Sequence, residues 1–412
     1  MISLPIPQVG EEERWVADHL GDLTAEGRHA IRASGAFRGG QSAADAALAA
    51  FDVTGYARAR NEVWPPRRRG ASRLSPYIRH GLLSLPRVWR HAADGPAPDV
   101  KKFRDELLWQ EYARHLYARV GGGLADPLRH EPSVSNRRDD PPWDRRMACI
   151  DLAMGELERD GWLVNQTRMW MASQWSVRAG WDWRAGEDEF FTHLLDGSRA
   201  ANRLGWQWTV GAATGRSYGF SRHQVQKRAP GLCARCALSA ACPIDQWPDA
   251  RAGMPVEPDL RLRLGAADAG PSQVETSGNP QVETSGNPQA VWLTGESLGA
   301  DDPASLAWSD LALVFVFDEA LLERLRLSGK RLVFLAQTLA ETGTRRPLEV
   351  YRGDPRQTLA GRAVAVTHAP VPGFKRLARS VQPVEVHPFP WLRRPGSGPV
   401  SSYSAWRRSM KL

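Results

Sequence analysis

The chain of 412 residues carries only four cysteines, too few to build a disulfide scaffold for a protein of this size. No apolar run approaches the roughly 18 residues that would argue a membrane span. The opening stretch MISLPIPQVGEEERWV carries acids where a secretory leader carries a basic segment followed by an apolar one, so a cytoplasmic protein is expected. Alternating strand patterns are scarce over residues 20–248. No Ser/His/Asp arrangement can be argued from the sequence. GGGLADP (Gly121–Pro127) reads as a turn rather than a phosphate loop.

What is present points elsewhere. The 42% hydrophobic content supports a sizeable core, and the length suggests two domains. A formal net charge of +8 suits a polyanionic partner, with basic residues clustered in PPRRRG (Pro65–Gly70), KRLARS (Lys375–Ser380) and the tail WRRSMKL. Tryptophan is the outlier at 17 residues. Trp181, Trp183, Trp206 and Trp208 crowd one short stretch among Arg, Asp and Asn. An indole buried in a core needs a partner for its N–H. A Trp-rich core is one reading of this crowding, and a conduit or a stacking platform for something flat, beside cationic residues, is the other.

Apolar residues recur at three- and four-residue spacing in Ala43–Val63 and Asp105–Val120, and Asp151–Gly180 predicts two helices meeting near Gly161. Residues 265–289 change texture. They are rich in Gly, Ala, Pro and Ser and contain the tandem octapeptide QVETSGNP, at Gln273–Pro280 and Gln281–Pro288, which reads as a flexible linker. Beyond it lie short apolar runs: AVWLTG (Ala290–Gly295), LALVFVFD (Leu311–Asp318), RLVFLA (Arg331–Ala336), LEVYRGD (Leu348–Asp354) and RAVAVTH (Arg362–His368). They predict buried parallel strands with helices between some of them. The expected division is a helical domain at 1–264, a linker at 265–289 and a small α/β domain at 290–412.

Several fragments of the helical part occur in one order. They are SRLSPYIRHGLLSLPRVW (Ser72–Trp89), ELLWQEYARHL (Glu106–Leu116), GWLVNQTRMWMAS (Gly161–Ser173) and DWRAGEDEFFTHLLDGSRAANRLGWQW (Asp182–Trp208). Together they resemble the flavin-binding domain of the photolyase/cryptochrome family over residues 35–215. The segment AVWLTGESLGADDPASLAW resembles the opening of that family's α/β domain, and RPGSGPVSSYSAWRRS resembles the segment leading out of it. The resemblance therefore implies an α+β multidomain fold in permuted order, with an all-α FAD-binding domain first and a small Rossmann-like α/β domain after it.

The same resemblance implies residue roles. Arg168 and Asp196 match an ion pair next to the flavin, a guanidinium being able to hold an Asp or a ring carbonyl in fixed fork geometry. Asp196 and Ser198 match contacts to the flavin ring and ribityl chain, and Asn202 matches the residue facing N5. Tyr56, Ser72, Leu74 and Ser75 match the diphosphate and ribityl seat, where short hydroxyls and backbone N–H groups suit phosphate oxygens. Trp109 and Trp208 match two tryptophans that flank a flipped cyclobutane dimer, because the lesion must leave the duplex stack. Glu106, three residues before Trp109 on the same helix face, matches a glutamate that bonds thymine carbonyls when protonated. Asn165 and Met169 match dimer-repair enzymes; Gln110 and Gln166 stand where Arg is common. Trp206 and Trp183 match the first part of an electron relay, with Trp143, Trp175 or Trp181 open for its next member.

Cys149, Cys233, Cys236 and Cys242 are the whole thiol complement, the last three in CARCALSAACP. A C-x₂-C-x₅-C triplet in a cytosolic protein calls for a metal. It resembles the iron–sulfur patterns of some DNA glycosylases and, with the distant Cys149, those of certain bacterial photolyases. A [4Fe–4S] cluster is expected, with zinc as second choice. The reading in full is a monomeric, nucleoid-associated, light-dependent repair enzyme. It binds FAD in a folded, U-shaped conformation, splits cyclobutane pyrimidine dimers in UV-damaged DNA and has no membrane partner. The alternatives are (6-4) repair, a cryptochrome-like photoreceptor, or a DNA-binding protein with a relict flavin site. Whether an antenna chromophore binds is left open.

Overall fold

The structure is a computed structural model describing residues 1–134, 142–248, 253–276 and 287–410. It contains two compact units, and neither is a single stretch of chain. The first comprises Met1–Phe51, Arg73–His91 and Ala267–Gly396; the second comprises Asp52–Ser72, Ala92–Ala266 and Ser397–Leu412. This corrects the expected division into three consecutive blocks. Residues 1–51 and 73–91, read as part of the helical domain, belong with the sheet, and the last residues belong with the helices.

The first unit is built on a seven-stranded sheet. Its strands are β1 (Ile2–Leu4), β2 (Glu275–Thr276), β3 (Ala290–Leu293), β4 (Ala312–Asp318), β5 (Leu348–Gly353), β6 (Val364–Thr367) and β7 (Glu385–His387). Their spatial order is β1-β5-β4-β3-β6-β7-β2. The central five run parallel, and β1 and β2 pair antiparallel on the two edges. All residues of β3 and β6 are buried, as expected for parallel strands covered on both faces.

The run RLVFLA is not a strand. It lies inside the helix Gly329–Arg345, which buries Leu332, Val333, Phe334, Ala336, Leu339 and Ala340. A short apolar run fits a buried helix as well as a strand, and length decides between them. Part of the expected linker is also structured, since Glu275 and Thr276 of the first octapeptide form the edge strand β2. The remainder of the repeat at 277–286 lies outside the described residues.

The second unit is helical. Its helices include α1 (Ala97–Val120), α2 (Ala148–Asp160), α3 (Asn165–Ala172), α4 (Trp183–His193), α5 (Arg199–Val210), α6 (Arg222–Arg228) and α7 (Tyr403–Ser409). Helix α1 buries Phe103, Leu107, Tyr112, Leu116 and Val120, which lie on more than one of its sides. Gly161, at φ +65°, ends α2 in the left-handed conformation that favours glycine, which lets the chain turn into α3. The side chain of Asp182 caps α4 by accepting from Arg184 N–H, and Ser198 caps α5 by accepting from Ala201 N–H. A cluster around Trp170, Trp175, Trp183, Phe190 and Trp206 forms the core. Among the described residues no helix is long and apolar enough to cross a membrane.

Candidate functional site

Helices α3, α4 and α5 bring together the residues expected to hold the flavin ring. The Arg168 guanidinium donates to Leu163 O at 3.0 Å and to Asp196 Oδ2 at 2.7 Å, so its orientation is fixed by backbone as well as by charge. Asp196 Oδ1 is buried and has no hydrogen-bond partner. Asn202 is buried and donates through Nδ2 to the carbonyl and the carboxylate of Glu187, at 3.1 and 2.7 Å. Glu187 also accepts from Arg199 and Arg203, while burial pushes its carboxyl above the ordinary range. The hydroxyl of Ser198 is engaged in capping α5. Tyr56 is buried edge-on to Phe103 at 5.0 Å, and burial raises its hydroxyl pKa. Tyr56 and Ser72 belong to the second unit, Leu74 and Ser75 to the first; Leu74 is fully buried and precedes the short helix Ser75–Arg79.

Trp206 is seated edge-on against Phe190 at 5.2 Å and Trp175 at 6.5 Å. The seat requires Gly186: a Cβ there would stand 2.3 Å from the Trp206 ring and 2.9 Å from that of Trp175. Trp175 lies in a π-helical turn, Ser173–Arg178, a local widening that re-aims side chains. Its indole donates to Asp182 O at 2.8 Å. From Trp175 the rings continue to Trp181 at 5.0 Å and Trp143 at 5.4 Å. Trp183 is buried under the Arg184 guanidinium, 4.8 Å from its ring, with an unpartnered indole N–H.

The residues expected to meet a lesion are part exposed. Trp208 is 41% exposed and lies 6.3 Å from the Tyr218 ring. The Tyr218 hydroxyl accepts from Gln166 at 2.7 Å, and Asn165 Nδ2 approaches Met169 Sδ at 3.7 Å. On α1, a single oxygen of Glu106 meets both Arg60 at 3.1 Å and Lys102 at 2.8 Å. Trp109 stacks on Tyr403 of α7. Sequence reasoning missed Glu187, Tyr218, Arg60 and Tyr403. Each reaches the site through tertiary packing, and none stands in a pattern that marks it beforehand.

Residues 103–228 match the family described as the FAD binding domain of DNA photolyase. The chain is 33% identical over 174 residues to a deoxyribodipyrimidine photo-lyase of Vibrio cholerae, covering 36% of this chain and 34% of that protein. With the photo-lyase of Thermus thermophilus it shares 35% identity over 196 residues, 42% of this chain and 43% of the other. The chain thus spans about a third to two fifths of the length of the curated relatives it matches. Among solved structures, a class III photolyase from Agrobacterium tumefaciens is 28% identical, with a TM-score of 0.36 over 41% of this chain and 37% of that one. A Synechocystis cryptochrome is 23% identical, with a TM-score of 0.44 over 50% and 46%.

The cofactor of such a domain can be tested against the residues present. A flavin ring offers an N–H donor beside carbonyl acceptors. Asp196 Oδ1 is a buried acceptor lacking a donor, and the Arg168 guanidinium beside it is a donor for a carbonyl. The residues fit.

The four cysteines meet at a second place. Cys149 on α2 and Cys233, Cys236 and Cys242 line one cavity, together with Met147, Arg222, Val225, Leu232 and Ile244. They stand around it without gathering into a single-ion site, since no group of three His, Cys, Asp or Glu among the described residues is set to hold one metal ion. Burial pushes the Cys149 thiol up to about 12 and raises that of Cys233, which the Arg222 guanidinium opposes. Cys236 Sγ accepts from Ala148 N–H at 3.5 Å.

Proposed function

We propose that this protein is a light-dependent DNA repair enzyme that binds FAD and splits cyclobutane pyrimidine dimers. The observation that carries the reading is the buried, unpartnered Asp196 Oδ1 beside Arg168, within the segment matched to the photolyase FAD-binding domain. A bound, reduced FAD, held by Asp196 and Arg168, would supply the light-driven one-electron chemistry that such repair needs. The chain does the rest. Asp196 accepts from the flavin ring and Arg168 fixes Asp196. Glu187 holds the Asn202 amide so that its remaining oxygen keeps one orientation. Trp109 and Trp208 present flat apolar faces to a dimer flipped out of the duplex. Arg60 and Lys102 hold Glu106 and lend positive charge for the DNA backbone.

Trp206 starts the electron relay, and the ring distances favour Trp175 as its neighbour, with Trp181 and Trp143 beyond. We assign the four cysteines to a [4Fe–4S] cluster with a structural role. Sulfurs spread around a cavity suit a multi-iron group better than a single zinc ion. The domain order reads as a permutation of a Rossmann-like α/β domain and a helical domain. Two features support it: the five parallel strands run β5-β4-β3-β6-β7 with the chain-first strand β3 central, and the residues after 396 rejoin the helical unit. A cryptochrome-like photoreceptor is the second reading, favoured by Gln166, which is engaged by Tyr218 instead of presenting a charge to DNA. The first test is the absorption spectrum and iron content of the purified protein. Flavin bands that disappear in Asp196→Ala support the reading, and a protein that cannot be loaded with FAD refutes it.

A further inference from the structure

Trp109 can offer a flipped base a flat face only if its indole is held still. Its ring lies flat on that of Tyr403, with centroids 4.0 Å apart and planes 9° from parallel. Tyr112 meets it edge-on at 5.8 Å. A planar ring has two faces, and here Tyr403 covers one of them. Both Trp109 and Tyr403 stay part exposed, so the stack is not a buried core contact.

Helix α7 does not need that stack for its own anchorage. Trp406 is 1% exposed and its indole donates to His115 Nδ1 at 2.9 Å. Tyr112 donates from its hydroxyl to Val400 O at 2.9 Å, and Ser402 caps the helix. Tyr403 is tied to the helix that carries Trp109: its hydroxyl donates to Asp105 O at 3.3 Å, and Arg407 pairs with the Asp105 carboxylate. Asp105 is four residues before Trp109, on the same side of α1. The tyrosine is thus registered against the indole by polar contacts at its rim, one helical turn away.

We propose that Tyr403 is a positioning residue: it fixes Trp109 with one face open, so that a base extruded from DNA stacks on a pre-set ring. This rests on the repair reading above. The ligand class is an unstacked pyrimidine pair, recognised through its flat face. Pre-setting the ring removes rotamer entropy that binding would otherwise have to supply. An offset or parallel aromatic pair contributes roughly two- to tenfold in an equilibrium constant.

The test compares Tyr403→Ala and Tyr403→Phe with the wild type in binding labelled oligonucleotides with and without one cyclobutane thymine dimer. The expected result is a loss in Tyr403→Ala of about two- to tenfold in the ratio of damaged to undamaged affinity. Affinity for undamaged DNA stays unchanged, and Tyr403→Phe restores the ratio. Should Tyr403→Ala fail to fold, Tyr403→Leu replaces it, keeping apolar bulk without the stack. An unchanged ratio, or an equal fall for both oligonucleotides, overturns the proposal. Tighter binding to the damaged strand also overturns it, because Tyr403 would then occupy the lesion's own seat. A wild type with no preference for the dimer refutes the repair reading itself, and the proposal falls with it.

Discussion

Replacing Asp196 by alanine separates what the Arg168–Asp196 pair does for the fold from what it does for a flavin. The side chain of Asp196 is 6% exposed and that of Arg168 is 24% exposed. Removing the acid leaves a mostly buried guanidinium that keeps only its bond to Leu163 O. For a fully buried pair the cost is 3–5 kcal/mol, and the exposure of Arg168 brings it to about 2–3 kcal/mol. In a unit of this size that lowers Tm by roughly 4–12 °C. Loss of the acceptor Oδ1 removes a charge-assisted hydrogen bond to the flavin, about 1.5–3 kcal/mol, which weakens flavin binding roughly 10- to 150-fold. The double variant Asp196→Ala/Arg168→Leu removes the orphaned charge as well. Calorimetry of the flavin-free proteins is expected to show Tm recovering towards the wild type, while fluorescence titration with FAD shows affinity staying low. If the double variant recovered flavin affinity, or the single variant bound FAD as the wild type does, Asp196 would not be the flavin's acceptor.

Other outcomes follow from the same geometry. Trp206→Phe is expected to abolish light-driven reduction of bound flavin by an external thiol, and Trp175→Phe to slow it more than Trp183→Phe does; transient absorption of tryptophan radicals checks the order, and equal rates in Trp175→Phe and wild type contradict it. Each Cys→Ser change at 149, 233, 236 or 242 is expected to lower the iron bound per chain, with Cys149→Ser also destabilising the α2 core; iron content equal to wild type in all of them refutes the cluster. Two buried groups of the sheet unit give opposite pH trends. Burial lowers the His368 pKa from 6.5 to about 4, so its contribution is present above pH 6.5 and falls by about 3 kcal/mol as pH drops towards 4. Burial raises Asp302 from 3.8 to about 6, so its penalty of about 3 kcal/mol develops as pH rises from 3.8 to 6. In urea unfolding, Asp302→Asn therefore gains stability relative to wild type as pH rises through that window, and His368→Gln gains as pH falls; two variants that track the wild type at every pH contradict both assignments.

How far the sequence could be read depended on whether a feature was local. The turn at Gly161 sits in a local pattern and the Arg168–Asp196 pair in two of the fragments that carry the resemblance, and the structure has both. Buried strands flanked by turns, such as Ala290–Leu293 and Val364–Thr367, were equally plain. RLVFLA misled because its apolar density satisfies either period. The edge strands Ile2–Leu4 and Glu275–Thr276 are two or three residues long and owe their form to the neighbour they pair with. The Glu106 environment was invisible for a different reason: Arg60 is 46 positions away, and an arginine in a turn gives no sign of its partner. Tyr403 is separated from Trp109 by most of the chain, and only folding makes them a stack.

We propose that the chain repairs DNA with light. The measurement that tests it most directly is recovery of intact thymines from a synthetic cyclobutane dimer by the purified, FAD-loaded and photoreduced protein, in light and in a dark control. Repair is expected in light alone, and it is lost in Trp109→Ala through weakened lesion binding. No repair by a protein that demonstrably holds reduced FAD and binds the dimer-bearing oligonucleotide would contradict it.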